Sequence, residues 1–162
     1  MSPETHEAVV VIVSTRAAAG TRPDTVGPQL VARLAAEGWS VRPDPVVLAD
    51  DEGRLAALLV GLAHGYRLIV TSGGTGLAPT DRTPEATIAV ADRVVPGLAE
   101  LMRAAGLATT PLAALSRGVA VARGETLIVN LPGSPAGAAE SLESVLPVLR
   151  HAVDQLAGRD HH

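Results

Sequence analysis

The sequence predicts an α/β protein in which a mostly parallel sheet is wound on both sides by helices. Short, nearly all-apolar, β-branched runs such as "AVVVIVS" (8–14) have the composition of strands covered on both faces. Segments between them place apolar residues at helical spacing, as in Leu55, Leu58, Leu59 and Leu62. Polar loops containing glycine follow three of the runs directly. At 162 residues the chain has the length of one ordinary domain. Residues 1–162 are therefore expected to form a single domain, with flexible ends at 1–7 and 159–162.

In chain order, the 8–14 run is expected as a central strand. A polar loop, "RAAAGTRPDT", leads to a helix carrying Leu30 and Leu34, which stops before Gly38. "WSVRPDPVVL" reads as a strand that Pro43 and Pro45 push to an edge or an irregular lead-in. The Leu55–Leu62 helix enters through Asp50 or Asp51 and closes at Gly65. "RLIVT" (67–71) is the next strand. Thr83 then Pro84 give an N-cap and first-position signature for a helix to about Asp92, with Glu85 set against its dipole. Weaker helical signal covers 97–116. "GVAVARGETLIVN" is either a hairpin or two neighbouring strands about Arg123-Gly124. Ser134-Pro135 then opens a last helix through Leu142, Val145, Leu149 and Val153, with Pro147 a candidate kink.

Composition removes several chemistries. All 13 basic residues are arginine, so there is no lysine for a Schiff base or a Walker-type phosphate contact, and the chain has no cysteine. Net charge is -4, with scattered arginines and one Trp and one Tyr, which argues against nucleic acid as a partner. No apolar run reaches the roughly 18 residues of a membrane span, and the start lacks the pattern of a secretory signal, so a cytoplasmic location is expected. His6, His64 and His151 have no metal-ligand spacing, and His161 and His162 read as a terminal tag. Carboxylates, hydroxyls, amides and a recruited ion are left to do the chemistry.

The loops "STRAAAG" (14–20), "SGGTGLAPTD" (72–81) and "NLPGSP" (130–135) emerge on one rim if their strands are parallel. Gly73, Gly74 and Gly76 permit an anion nest of backbone amides over 73–76, with phosphate the natural guest; an empty tight turn is the alternative. Asp81 beside a phosphate calls for a cation such as Mg²⁺, or else merely turns the loop. Asp50 could add a second carboxylate or, like Asp51, simply cap a helix. Ser116, Asn130 and Ser134 are candidate donors, Ser134 also a helix cap. Arg82 and Arg117 are either phosphate partners or surface charges.

Taken together, "VTSGGTGLAPTDRTPEAT", "LSRG" (115–118), "LIVNLPGSP" (127–135) and "LPVLRHAVDQLAG" (146–158) resemble the MoaB/Mog family of molybdenum-cofactor biosynthesis proteins. The likeness covers almost the whole chain. It implies a three-layer α/β/α fold, usually a homo-trimer or hexamer working beside other enzymes of that pathway. It also implies transfer of the adenylyl group of ATP to the terminal phosphate of molybdopterin, with Mg²⁺ and release of pyrophosphate. By motif, Ser72, Gly73, Gly74, Thr75 and Gly76 form the phosphate floor. Asp81 and Asp50 are the catalytic and metal-holding carboxylates. Ser116, Asn130, Pro132, Gly133 and Ser134 surround the pterin or its phosphate, and Thr83, Pro84 and Glu85 are architectural. The chain departs from the usual pattern at Thr15, Val26 and Ala49, where the family commonly has aspartate, serine and proline. Those departures motivate a second reading, a pterin-binding paralogue without adenylyl transfer; a pyrophosphatase-like activity on nucleotides is a third.

Overall fold

A computed structural model describes residues 6–159. Strand β1 (Glu7–Val13) begins inside the segment assigned to the tail, and residues 1–5 and 160–162, including His161 and His162, lie outside the described residues. The remaining strands are β2 (Ser40–Val41), β3 (Val46–Leu48), β4 (Leu68–Ser72), β5 (Arg93–Val94), β6 (Ala120–Arg123) and β7 (Thr126–Leu131). They form one sheet of order β2-β1-β4-β7-β6-β5, with β3 beside β1 on the same edge as β2. β1 to β4 and β7 run parallel, whereas β6 folds back on β7 and β5 on β6. The hairpin reading of 118–130 is therefore the one adopted, turning at Gly124 with φ +55°.

Alternation along β1 sorts the core into two layers. Ala8, Val10 and Ile12 face helices α2 (Val26–Ala36), α5 (Pro96–Leu107) and α6 (Pro135–Leu156) through Leu30, Leu34, Leu98, Met102, Leu142 and Leu149. Val9, Val11 and Val13 face α3 (Glu52–Leu62) and α4 (Thr83–Ala89) through Leu55, Leu59 and Ala86. A strand with apolar residues on both pleat faces can only be satisfied between two helical layers, and the three-layer α/β/α arrangement follows.

Several expectations are corrected. β1 is buried on both faces but lies one strand in from the edge; β4 and β7 hold the middle. The 40–48 strand is broken in two, because Pro43 and Pro45 have no N–H for the ladder. α4 stops at Ala89 rather than Asp92, where Asp92 instead accepts from the Gly124 amide through its side chain. Thr83 is not the cap of α4 but its first residue. The 14–20 loop contains a one-turn helix, α1 (Thr15–Ala18), and 97–116 resolves into α5 and a 3-10 turn at Pro111–Leu115. α6 runs through Pro147 as one element.

The Leu59 side chain is fully buried between α3 and the sheet, whereas Leu58 is half-buried. Leu59→Ala is expected to lower unfolding free energy by about 2–5 kcal/mol and Leu58→Ala by clearly less, measured by urea denaturation.

Candidate functional site

The parallel pairing of β1, β4 and β7 brings their carboxyl ends to one rim, and the loops after β4 and β7 meet there. The contact is close. A side chain at Gly73 would put its Cβ 2.2 Å from the Val13 carbonyl, and Gly73 takes φ +103°, so only glycine lets the chain leave β4 in this direction. Its amide donates to the Leu131 carbonyl at 3.1 Å, which stitches the two loops together.

Beyond Gly73 the loop shows a consistent polarity. The Gly73 carbonyl accepts from Thr83 Oγ1 (2.9 Å) and the Gly74 carbonyl from Thr83 N (3.1 Å). The Thr75 carbonyl accepts from Arg117 N (2.8 Å), and the Gly76 carbonyl from Arg117 Nε (2.7 Å). The amides of Gly74, Thr75 and Gly76, by contrast, meet no acceptor among the described residues. All three residues line a cavity of about 530 Å³. A row of unpaired N–H groups with its carbonyls tied back into the protein suits an anion.

Asp81 lines the same cavity. One carboxylate oxygen, Oδ2, accepts from the Ala78 amide at 3.0 Å, which closes the exposed turn 77–80. That oxygen also explains Gly76, where a Cβ would come within 2.9 Å of it. Gly76 is thus required for the approach of a carboxylate and has no positive φ. Asp81 turns the loop with one oxygen, while Oδ1 meets no partner among the described residues.

Ser116, Asn130, Pro132, Gly133 and Ser134 also line the cavity. The Ser134 hydroxyl caps α6 by accepting from Gly137 N at 3.1 Å, and the Ser116 hydroxyl accepts from Gly118 N; each keeps its own proton to donate. Asn130 is different. Its Nδ2 donates to Thr71 and Thr87 at 3.0 Å each, and Oδ1 accepts from Val119 N at 3.2 Å, so its amide binds strands and helix together rather than a ligand. Ser72 and Gly73 lie behind the cavity wall: the Ser72 hydroxyl is buried and donates to the Pro132 carbonyl at 2.7 Å. These three are framework, because their polar groups are already spent within the fold.

Asp50 stands apart from the cavity lining, and its Oδ2 accepts from Thr15 Oγ1 at 2.8 Å. Asp51 is the N-cap of α3, accepting from Arg54 N, which leaves Asp50 as the carboxylate on this rim not consumed by capping. Among the described residues no group of three or more His, Asp or Glu is placed to hold a metal by itself. Mg²⁺ needs only one or two protein carboxylates when phosphate oxygens and waters complete its shell, and the Asp81 carboxylate is one such donor on the cavity wall.

Apart from Leu115, the other half of the cavity lies outside the quoted motifs. It is walled by Ala99, Met102 and Gly106 of α5, Leu112, Ala113 and Leu115 of the 3-10 turn, and Glu140 and Ser141 of α6. This mainly apolar lobe suits a flat ring attached to a phosphate held on the amides. Arg103 enters from α5, its Nη1 donating to the carbonyls of Ser116 and Gly118. Helical spacing alone could not separate a core-facing arginine from a surface one. Arg117 is likewise neither a free surface charge nor an available phosphate partner, since Glu85 and loop carbonyls take up its guanidinium. Arg82 pairs with Glu52 at 3.1 Å.

A family model described as a probable molybdopterin binding domain matches residues 9–151. A molybdopterin adenylyltransferase of Haemophilus influenzae is 44% identical over 141 residues, covering 84% of this chain and 71% of that protein. One from Helicobacter pylori is 42% identical over 114 residues, covering 69% of this chain and 65% of its own. Among solved structures, the molybdopterin biosynthesis enzyme MoaB of Thermus thermophilus superposes with a TM-score of 0.84 at 50% identity, covering 95% of this chain and 98% of its own. The Mog protein of Mycobacterium ulcerans gives 0.86 at 46%, with 94% and 99% covered.

Two predictions follow from the site's framework. Asn130→Ala leaves the Val119 amide and the Thr71 hydroxyl without their Asn130 partner and removes one of the two bonds of the Thr87 hydroxyl, which keeps the Thr83 carbonyl, at a cost of about 2–4 kcal/mol in urea denaturation. The Arg117 guanidinium holds the Glu85 carboxyl below its ordinary value of 4.5. A depressed carboxyl adds stability that is complete above the unfolded value and fades as pH falls through the folded one. The stability gap between the native protein and Glu85→Gln, followed by urea denaturation from pH 7 downwards, should therefore hold to about pH 4.5 and close below it.

Proposed function

This chain belongs to the family of molybdopterin-binding domains of molybdenum-cofactor biosynthesis, and we propose that it is a molybdopterin adenylyltransferase. The observation that carries the reading is one cavity with two chemically distinct halves: unpaired amides and a carboxylate at the sheet rim, an apolar slot beside them. A pterin with a terminal phosphate has the same division.

In the reaction, an oxygen of that terminal phosphate attacks the α-phosphorus of ATP, forming a P–O bond as the bond to pyrophosphate breaks. No covalent bond to the protein is needed, in keeping with a chain that has neither lysine nor cysteine. The amides of Gly74, Thr75 and Gly76 bind phosphate oxygens and fix their direction. Ser116 and Ser134 donate hydrogen bonds to the ligand, and the apolar lobe orients the ring and excludes water from it. Pro132 and Gly133 shape the wall between them. Mg²⁺, held by Asp81 with Asp50 as the second carboxylate, would neutralise charge developing on the phosphates. Rate enhancement then comes from alignment and charge compensation. We assign the protein to the cytoplasm as a homo-trimer or hexamer, receiving its pterin from another enzyme of the same pathway.

Incubation with molybdopterin, ATP and Mg²⁺ should give adenylyl-molybdopterin and pyrophosphate in equal amounts. Asp81→Asn retains an acceptor for the Ala78 amide, so its melting temperature should stay close to the parent while turnover drops by about 100-fold or more. Undiminished turnover in that variant would remove Asp81 from its role. Pterin binding by the parent protein without any product would instead favour the non-catalytic paralogue.

A further inference from the structure

We infer that Arg117 is a positioning residue that places Asp81, with Glu85 as its anchor; this rests on the adenylyl-transfer reading. The guanidinium spans both ends of the turn that carries Asp81. Nε donates to the Gly76 carbonyl at 2.7 Å, just before the exposed residues 77–80, and Nη2 donates to the Asp81 carbonyl at 2.7 Å, just after them. Its remaining edge meets Glu85 in a two-point pair, Nη1 to Oε2 at 2.6 Å and Nη2 to Oε1 at 3.2 Å.

Glu85 sits in the first turn of α4, and α4 is pinned to the loop by Thr83 and to β7 through Thr87 and Asn130. The chain of support thus runs from the sheet, through α4, to one planar cation and then to the two ends of the turn. Leu77 is 66% exposed and the rest of 77–80 is also exposed, so apolar packing cannot hold this turn in place. Peptide planarity adds a second effect. Because C=O and N–H point opposite ways across a trans peptide, fixing a carbonyl towards Arg117 directs the following N–H away from it. The backbone amide of Arg117 does this for the Thr75 carbonyl, and hence for the Gly76 N–H that faces the anion site. Lysine would keep that backbone bond and the charge but lose the fork, since one ammonium cannot serve two carbonyls and a carboxylate in this planar pattern.

The test is Arg117→Lys, with Glu85→Gln alongside. Hydrogen exchange over residues 73–82 should quicken in Arg117→Lys while the β1 and β7 segments keep their protection. The kcat for adenylyl transfer should fall by about 10- to 100-fold, with KM for molybdopterin changed by less than about 3-fold, because the ring pocket is untouched. Glu85→Gln should show the same pattern at about 3-fold, and adding it to Arg117→Lys should cause no further loss, since it acts through Arg117. Unchanged exchange at 73–82 would overturn the clamp. Faster exchange with unchanged kcat would reduce Arg117 to a structural role. If Arg117→Lys fails to fold, Glu85→Gln decides by the same two measurements. A parent protein that makes no product would count against the adenylyl-transfer reading, while the exchange contrast would still decide the clamp.

Discussion

The site depends on the direction of a few peptide groups. Four consecutive carbonyls, Gly73 to Gly76, are drawn into hydrogen bonds with Thr83 and Arg117, and the amides that follow the first three are left towards the cavity. A peptide dipole turned the other way would present oxygen to an incoming phosphate and repel it. The protein therefore builds an electropositive patch from neutral groups, without the lysine that other phosphate loops employ. Cationic side chains are used on the outer side of the loop, where they set its geometry.

Beneath that patch lies a second constraint, the buried amide of Asn130. It joins the hydroxyl of Thr71 on β4, the hydroxyl of Thr87 on α4 and the backbone at Val119 before β6. The Thr87 hydroxyl donates to the Thr83 carbonyl, so the network continues into the start of α4. Four elements that share the rim are thus cross-linked by polar bonds with defined angles. Apolar contacts alone would allow sliding of the kind that blurs a binding site.

Much of this could be read from the residues. Apolar β-branched runs fixed β1, β4 and β7, and leucine spacing fixed α2 and α3, because burial in a three-layer fold imposes those periods. The likeness to known motifs pointed to Asp81, Gly74 to Gly76 and Ser134, which share one cavity. What the sequence hid was the division of labour among polar residues. Ser72 and Asn130 look like ligand donors in one dimension, but their partners, Pro132 and Thr87, lie far along the chain. Arg103 gave no signal, and Arg117 stood out only as a phosphate partner or a surface charge, since an arginine's surroundings are set by tertiary contacts. The apolar lobe was equally illegible: Met102, Leu112 and Ala113 come together only when the 3-10 turn packs on α5 and α5 on α6.

The interrupted strand at residues 40–48 bears on how copies of this protein can meet. On that margin the backbone offers two short stretches separated by Pro43, Asp44 and Pro45, and on the opposite margin β5 has two residues. Neither offers a long run of unpaired N–H and C=O groups for another molecule to continue. Edges of this kind disfavour joining the sheets of two copies, so the strand order that sets the rim is a property of the single chain.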